Sequence, residues 1–219
     1  MRRIALAALA LTLGFAALLA NSRSRKREGD TPGIFDYYVL SLSWSPQYCS
    51  GPGGARDSAQ CGEGRRFGFI VHGLWPQFER GYPSNCAGTR TVKPAILDRM
   101  LPLMPSRRLI QHEWAKHGTC SGLEQGAYFD LIRKASGIVR IPEDYRTPLR
   151  QIAVTPESIR AKFAAANPGM PSGSLRILCG GRFLSEVRVC LTKDLKLRAC
   201  SADVRDTCRA PEVIVQPVR

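Results

Sequence analysis

The sequence has few of the residues and patterns that mark several common classes of protein. It contains only 3 histidines, and none of its 8 cysteines stands in a CxxC pair, which disfavours a zinc ribbon or a thioredoxin-like redox motif. No Asn-x-Ser/Thr site occurs, so N-glycosylation is not expected. No internal repeat is found, which disfavours a solenoid or a propeller.

Acidic residues are scarce beside basic ones. The chain has 18 Asp and Glu against 32 Lys and Arg, which gives a formal net charge of +14 over 219 residues. The first 28 residues carry +5 of this charge, so the remainder still has a net charge of +9. Such an excess says little about fold, but it favours anionic partners such as nucleic acid or an anionic membrane. A hydrophobic content of 44% is enough for a core and too high for a disordered chain.

The segment 1–28 has the pattern of a signal peptide followed by a basic polar linker. Two arginines, Arg2 and Arg3, precede an uncharged apolar run over 4–20. An uncleaved anchor is the alternative, because this run is near the lower length limit for a spanning helix. In either case we predict that residues 29–219 form one domain outside the cytosol, either secreted or periplasmic.

All 8 cysteines follow this segment, and an even number in an exported chain predicts disulfide bonds. The residues alone leave about 105 pairings open. The cysteines are Cys49, Cys61, Cys86, Cys120, Cys179, Cys190, Cys200 and Cys208.

Apolar periodicity predicts both strands and helices. The expected strands are 35–44, 67–71, 175–179, 183–191 and 195–200, the second of them followed directly by His72. The expected helices are 92–104, 107–117, 128–138 and 156–166, and Gly118 stands where a helix C-cap is expected. Because these elements are interspersed without a βαβ period, the sequence predicts an α+β fold. We expect a single domain with a central mixed, largely antiparallel sheet flanked by helices.

The three histidines lie in two short segments, VHGLWP with His72 and HEWAKHGTC with His112 and His117. Histidine gains and loses protons near neutral pH, and reactions that need an acid and a base often place two imidazoles around one atom. If the second segment is a helix, its two histidines, Glu113 and Lys116 fall within an arc of about 140°. Such a face suits an oxyanion, because the ammonium group and a protonated imidazole attract it.

Other interpretations of these segments stay open. A zinc site of the HExxH type needs its histidines four positions apart, whereas His112 and His117 are five apart. The same run could be an ordinary solvated helix face, and His72 at a strand end could be structural. Trp75 could stack on a nucleic-acid base or could simply be a core side chain.

Taken together, the two segments resemble a known family. HGLWP at His72–Pro76 and HEWAKHGTC at His112–Cys120 are similar to the two signature segments of the ribonuclease T2 family, in the same order. Tyr37–Trp44 is similar to the first strand of that family, and Gly81–Cys86 to the stretch after the first signature. The resemblance covers roughly 35–210. It implies an α+β fold and cleavage of RNA to a 2′,3′-cyclic phosphate.

The resemblance also implies a role for each residue of the two segments. His72 and His117 would form the acid/base pair: His117 would take the 2′-OH proton, and His72 would protonate the leaving 5′-oxygen. His112 would hold the phosphate. Glu113 and Lys116 would help to stabilise the pentacoordinate phosphorane.

A base pocket and a disulfide pairing are implied as well. Trp75, Gln77 and Tyr82 would line the main base pocket, with Gln77 at a position where some members carry Asp, so no base preference is predicted. The implied disulfides are Cys49–Cys61, Cys86–Cys120, Cys179–Cys208 and Cys190–Cys200.

We therefore expect an exported, monomeric endoribonuclease that acts on single-stranded RNA. The reaction would be a lyase-type transphosphorylation followed by hydrolysis, with no metal, no other cofactor and, if the signal is cleaved, no stable membrane partner. One alternative is an exported cationic protein that binds anionic polymers or membranes, with incidental catalysis. A metal-dependent phosphoesterase is the other.

Overall fold

A computed structural model describes residues 31–219, so the predicted signal and linker lie outside the described residues. The six α-helices of this part are α1 (Ser45–Cys49), α2 (Ser58–Cys61), α3 (Pro94–Met100), α4 (Arg107–Lys116), α5 (Gln125–Ile138) and α6 (Pro156–Ala166). Its six strands are β1 (Tyr37–Trp44), β2 (Phe69–Gln77), β3 (Ile152–Val154), β4 (Leu175–Gly180), β5 (Phe183–Leu191) and β6 (Val213–Val215).

All six strands form one sheet at the centre of the domain. The order is β2-β1-β5-β6-β3, and β4 pairs with β5 beside this path. Every pair is antiparallel except β5 with β6, which is parallel. The prediction of an α+β fold with a mixed, largely antiparallel sheet is confirmed.

Strand β1 explains how the sheet divides the interior. Because alternate side chains point to opposite faces of a strand, Leu40, Leu42 and Trp44 pack into the main core. On the opposite face, Tyr37 and Val39 form a smaller buried cluster with residues of the C-terminal third. The candidate functional site lies on this second face.

Helix α4 is fixed at its start and along one side. The Ser106 hydroxyl accepts a hydrogen bond from the Leu109 backbone N–H at 3.4 Å, as expected of an N-cap. Ile110 and Trp114 are buried in the core. The helix ends at Lys116, one residue earlier than predicted.

Within residues 31–219, no helix combines the length and the apolar character needed to cross a membrane.

The predicted C-cap role of Gly118 is wrong. Gly118 lies outside the left-handed backbone region and begins a short 3-10 turn that runs to Ser121. A Cβ atom at this position would come within 3.0 Å of the rings of Trp114 and Tyr128. Close packing against two aromatic rings therefore requires the glycine here, and Gly122, with φ 73°, is the left-handed residue that follows the turn.

The other helices differ from prediction mainly at their ends. Helix α3 covers only part of the predicted span 92–104, because Pro94 sets its first turn and the chain turns off after Met100. Helix α5 begins three residues before the predicted Tyr128. Helix α6 has the predicted bounds, with the Thr155 hydroxyl accepting from the Ser158 backbone N–H at 3.1 Å.

Two strand predictions were wrong. Strand β2 does not end at Val71, before His72, but continues through the whole of the first signature segment to Gln77. The stretch 195–200 contributes only an isolated bridge between Leu191 and Leu197. Two strands of three residues each, β3 and β6, were not predicted, because so short a run shows no periodicity.

Four disulfide bonds stabilise this domain, and they join the same pairs that the resemblance implies. They are Cys49–Cys61, Cys86–Cys120, Cys179–Cys208 and Cys190–Cys200. The second ties the segment after β2 to the turn that follows α4. The part of the chain that the structure describes contains no free cysteine.

Candidate active site

Both signature segments line one cavity of about 430 Å³. Strand β2 contributes three side chains, α4 contributes three, the residue that directly follows α4 contributes one, and the loop after β2 contributes one. All the predicted catalytic and base-pocket residues are therefore brought together: His72, Trp75, Gln77, Tyr82, His112, Glu113, Lys116 and His117.

The position of His72 depends on an irregularity in the sheet. Ser41 of β1 pairs with Gly73, and the next residue, Leu42, pairs with Val71. His72 is thus the extra residue of a β-bulge, a feature that bends a strand and re-aims its side chains. The sequence places this histidine at the end of a strand. The bulge, which the sequence does not reveal, directs its side chain to the cavity.

Three polar side chains contact the ring nitrogens of His72. Its Nδ1 lies 3.2 Å from the Ser43 hydroxyl and 3.4 Å from Oε2 of Glu186, and its Nε2 lies 3.5 Å from Oε1 of Glu113. Burial lowers the pKa of His72, but the hydrogen bond to Glu186 and the charge of Glu113 outweigh burial and raise the pKa above its ordinary value. This imidazole is therefore prepared to carry a proton.

His117 is in the opposite electrostatic state. It follows α4 directly, its side chain is only 4% exposed, and its Nδ1 has no hydrogen-bond partner within the described residues. Burial lowers the pKa of His117 to about 3, with the positive charges of Lys116 and His112 adding to the effect. This imidazole is neutral at physiological pH and can accept a proton.

Trp75 lies between the two imidazoles. Its ring meets the ring of His72 edge-on, with centroids 5.3 Å apart, and stacks on the ring of His117 at 5.1 Å. Its Nε1 donates a 2.6 Å hydrogen bond to Oε2 of Glu113, and the guanidinium of Arg188 lies 4.9 Å from its ring centroid. The half-buried indole thus fixes the relative position of the two candidate proton-transfer groups.

Glu113 of the second segment contacts His72 and Trp75 of the first. It is only 1% exposed, and burial raises its pKa to about 7, against the opposing effects of the His72 charge and the Trp75 hydrogen bond. A Cβ atom on Gly73 would come within 3.0 Å of this carboxylate and of the Trp75 Nε1. Glycine in the HGLWP segment is therefore required for the carboxylate to reach the strand.

Around the mouth of the cavity, cationic and polar groups prevail. His112 is exposed at the rim, and burial, followed by the charge of Lys116, lowers its pKa. Lys116, Arg188 and a protonated His72 can together attract an anion. The aromatic ring of Tyr82, which is 52% exposed, also lines the cavity, with its centroid 6.1 Å from that of the His117 ring. The arrangement suits a phosphate group that lies next to an aromatic base.

Sequence reasoning missed three charged residues: Arg188 and Asp203, which line this cavity, and Glu186, which contacts His72. Glu186 is 9% exposed on β5, between His72 and Arg188, and its carboxylate forms an ion pair with the Arg188 side chain. The hydrogen bond to His72 and the charge of Arg188 hold the pKa of Glu186 below its usual range, even though burial raises it. Glu186 and Arg188 stand two positions apart in the run SEVRV of a largely apolar predicted strand. These two charges were the available signal that this strand contributes to a site.

Asp203 is the third of these residues and comes from the C-terminal loop. Its carboxylate accepts hydrogen bonds from the Gly81 backbone N–H and from the Ser201 hydroxyl. The Ser201 hydroxyl also contacts the hydroxyl of Tyr37 on β1. Through these bonds the loop that carries Tyr82 is fixed to the sheet.

The site offers little to a metal ion. Residues 31–219 contain no group of three or more His, Cys, Asp and Glu side chains that could hold one. The two histidines of the second segment do not converge as a zinc pair would, because His112 lies at the rim and His117 is buried.

Comparisons with known proteins point the same way as this geometry. The family model described as the Ribonuclease T2 family matches residues 35–200. A protein named ribonuclease from Aeromonas hydrophila is 38% identical over 196 residues, covering 85% of this chain and 88% of the relative.

Two solved structures share the fold. The RNase-related protein from Calystegia sepium has a TM-score of 0.67 at 23% identity, covering 84% of this chain and 98% of that one. Ribonuclease MC1 from the seeds of bitter gourd has a TM-score of 0.60 at 25% identity, covering 82% and 99%.

Proposed function

The chain belongs to the ribonuclease T2 family, and we propose that it is an endoribonuclease that cleaves single-stranded RNA in two steps, without a metal. One observation carries the proposal. His72 and His117, which come from separate segments, face the same cavity, and their pKa values are moved in opposite directions by their surroundings. An acid and a base are thus positioned around one point, as general acid–base catalysis requires.

In the first step, His117 accepts the proton of the ribose 2′-OH, and the 2′-oxygen attacks phosphorus. The bond from phosphorus to the 5′-oxygen of the next nucleotide breaks, and His72 gives its proton to that oxygen. The products are a 2′,3′-cyclic phosphate and a free 5′-hydroxyl. In the second step the roles reverse: His72 takes a proton from water, which opens the cyclic ester to a 3′-phosphate, and His117 protonates the 2′-oxygen.

The remaining residues of the cavity stabilise charge and orient the RNA. Lys116 and Glu113 would stabilise the phosphorane, and His112 would hold a phosphate oxygen. A hydrogen-bond donor such as the Lys116 ammonium group commonly contributes about 2.7–4 kcal/mol to a transition state. Glu186 acts as a positioning residue, because its contact with Nδ1 of His72 orients the ring and favours its protonated form.

The base of the nucleotide that supplies the 2′-OH would lie against Trp75, Gln77 and Tyr82. The half-buried ring of Trp75 and the exposed ring of Tyr82 offer apolar surface, while Gln77 offers an amide at the buried end. Its Nε2 donates to the Pro76 carbonyl at 3.1 Å, which holds the amide in place.

The direct test is incubation of the purified protein with an RNA of defined sequence in the presence of EDTA. We expect fragments that first carry 2′,3′-cyclic phosphate ends and later 3′-phosphate ends, while DNA of the same sequence stays intact. Loss of cleavage in EDTA, equal cleavage of the DNA, or products with 5′-phosphate ends would each contradict the proposed chemistry.

Export is the second part of the proposal: residues 1–28 act as a signal peptide and linker, and 29–219 form a monomeric catalytic domain that is secreted or periplasmic. Four disulfides support this, because such bonds persist mainly in oxidising compartments. Cell fractionation, with mass spectrometry of the mature N-terminus, tests it. A full-length chain recovered from the cytosol with reduced cysteines would contradict export.

A further inference from the structure

A second cavity, of about 420 Å³, adjoins the candidate active site. His112 lines both cavities, so the two are neighbours along the rim of α4. The second cavity contains no residue of the base pocket and no residue of the acid/base pair. Its titratable side chains are Tyr48, Arg56, Asp57, Arg108 and His112.

Two arginines from separate segments meet at this cavity. Arg56 ends the 3-10 turn Gly54–Arg56, which follows α1, and Arg108 lies in the first turn of α4. Burial and Asp57 raise the pKa of Tyr48, and both arginines oppose that shift, which places their charges near the same hydroxyl. Arg108 also acts on the pKa of His112, together with burial and Lys116, all of which lower it.

These two charges have no anionic partner in the structure. Among the described residues, neither Arg56 nor Arg108 forms an ion pair, whereas the adjacent Arg107 pairs with Asp98. Asp57 also lines this cavity, where its carboxylate accepts the Tyr48 hydroxyl at 3.3 Å and the Gln60 N–H at the start of α2, so its single negative charge offsets only one of the two arginines. The cavity therefore keeps a net positive charge beside the site at which a phosphodiester would react.

We propose that this cavity binds a second phosphate of the same RNA strand, next to the phosphodiester that is cleaved. The proposal rests on the proposed ribonuclease function. A guanidinium presents paired N–H donors that match phosphate oxygens, and it keeps its charge at any physiological pH. Arg56 and Arg108 would hold the neighbouring phosphate, and the enzyme would prefer chains with more than one phosphodiester.

Chain-length dependence with a single cleavable bond tests the proposal. One substrate is the dinucleotide rUpdU, and the other is a hexamer of deoxyuridine that contains one internal ribouridine. We expect wild-type kcat/KM to be about tenfold or more higher for the hexamer, the effect of one hydrogen-bonded charge pair. Arg56→Ala and Arg108→Ala should each lower the ratio of hexamer to dinucleotide, by up to that factor.

Arg107→Ala is the matched control. It removes the same charge from the same helix, but at a side chain that does not line the cavity, so the ratio should stay that of the wild type. Binding of the all-deoxy hexamer, followed by fluorescence anisotropy against salt, gives a readout without catalysis. Each lost phosphate contact should reduce the slope of log K against log salt by about 0.7.

The outcomes separate the two proposals. If the wild-type enzyme cleaves both substrates with equal kcat/KM, or if Arg107→Ala lowers the ratio as much as the cavity variants, the second phosphate site is refuted. If the wild-type protein cleaves neither substrate in EDTA, the ribonuclease function itself fails, and this inference fails with it.

Discussion

Replacing Glu186 with glutamine removes the charge that faces His72 while keeping the size of the side chain. In the wild-type protein the Glu186 carboxylate lies 3.4 Å from Nδ1 of His72 and also pairs with Arg188. Without that carboxylate, Glu113 is the only carboxylate among the described residues that still contacts the ring. The Arg188 charge, which lowers the pKa of His72, is then opposed by Glu113 alone.

The size of the effect follows from the contact. A hydrogen bond between charged groups contributes about 1.5–3 kcal/mol. The His72 side chain is 34% exposed, so solvent screening places the expected value at the lower end of that range. At about 1.4 kcal/mol for each factor of ten, kcat/KM at pH 7 should fall about tenfold.

The pH dependence gives the sharper readout. Glu186 raises the pKa of His72, so its loss lowers that pKa, and the protonated acid then disappears at a lower pH. The alkaline limb of the profile of kcat/KM against pH should therefore move toward acid. Glu79→Gln is the control, because this exposed carboxylate pairs with Arg198 away from the histidines. An unchanged profile for Glu186→Gln, or a limb that moves toward higher pH, would refute the reasoning.

Further predictions concern the frame of the site. Gly73→Ala should separate Glu113 from Trp75, because the added Cβ would overlap both; we expect a loss of about 1–3 kcal/mol of stability together with reduced kcat/KM. Unaltered thermal unfolding and activity would show that the carboxylate can move freely. Replacing Cys86 and Cys120 by serine should cost about 2–5 kcal/mol in the free energy of unfolding, which denaturant titration measures; a change near zero would contradict the prediction.

The sequence predicted those parts of the site that are local in the chain. Histidine, glutamate and lysine in HEWAKHGTC lie at helical spacing, and the observed α4 presents them to one cavity. The predicted start of this helix at Arg107 is confirmed, and Ser106 supplies its N-cap.

The features of the site that could not be predicted depend on contacts between residues far apart in the sequence. The bulge at His72 exists because β2 is paired with β1, and the contact with Glu186 joins residues 114 positions apart. Nothing in the HGLWP segment alone specifies either. Strands β3 and β6 are similar cases, because three residues become a strand only when a partner strand is beside them.

Gly118 shows that a glycine after a helix can be required either by backbone conformation or by packing. A glycine after a helix usually supplies a left-handed cap. Here the rings of Trp114 and Tyr128 fill the space that a Cβ would need, so packing requires the glycine. Only the tertiary contacts distinguish the two roles.

The assignment of His117 as base and His72 as acid is tested most directly by changing the leaving group. His72→Ala and His117→Ala are compared on UpU and on the 3′-(4-nitrophenyl phosphate) of uridine, whose nitrophenolate leaves without being protonated. Both variants should lose about 10²–10⁴ in kcat on UpU. On the nitrophenyl ester, His72→Ala should recover most of its activity and His117→Ala should not. Recovery of His117→Ala instead, or full activity of either variant on UpU, would contradict the proposed acid/base pair.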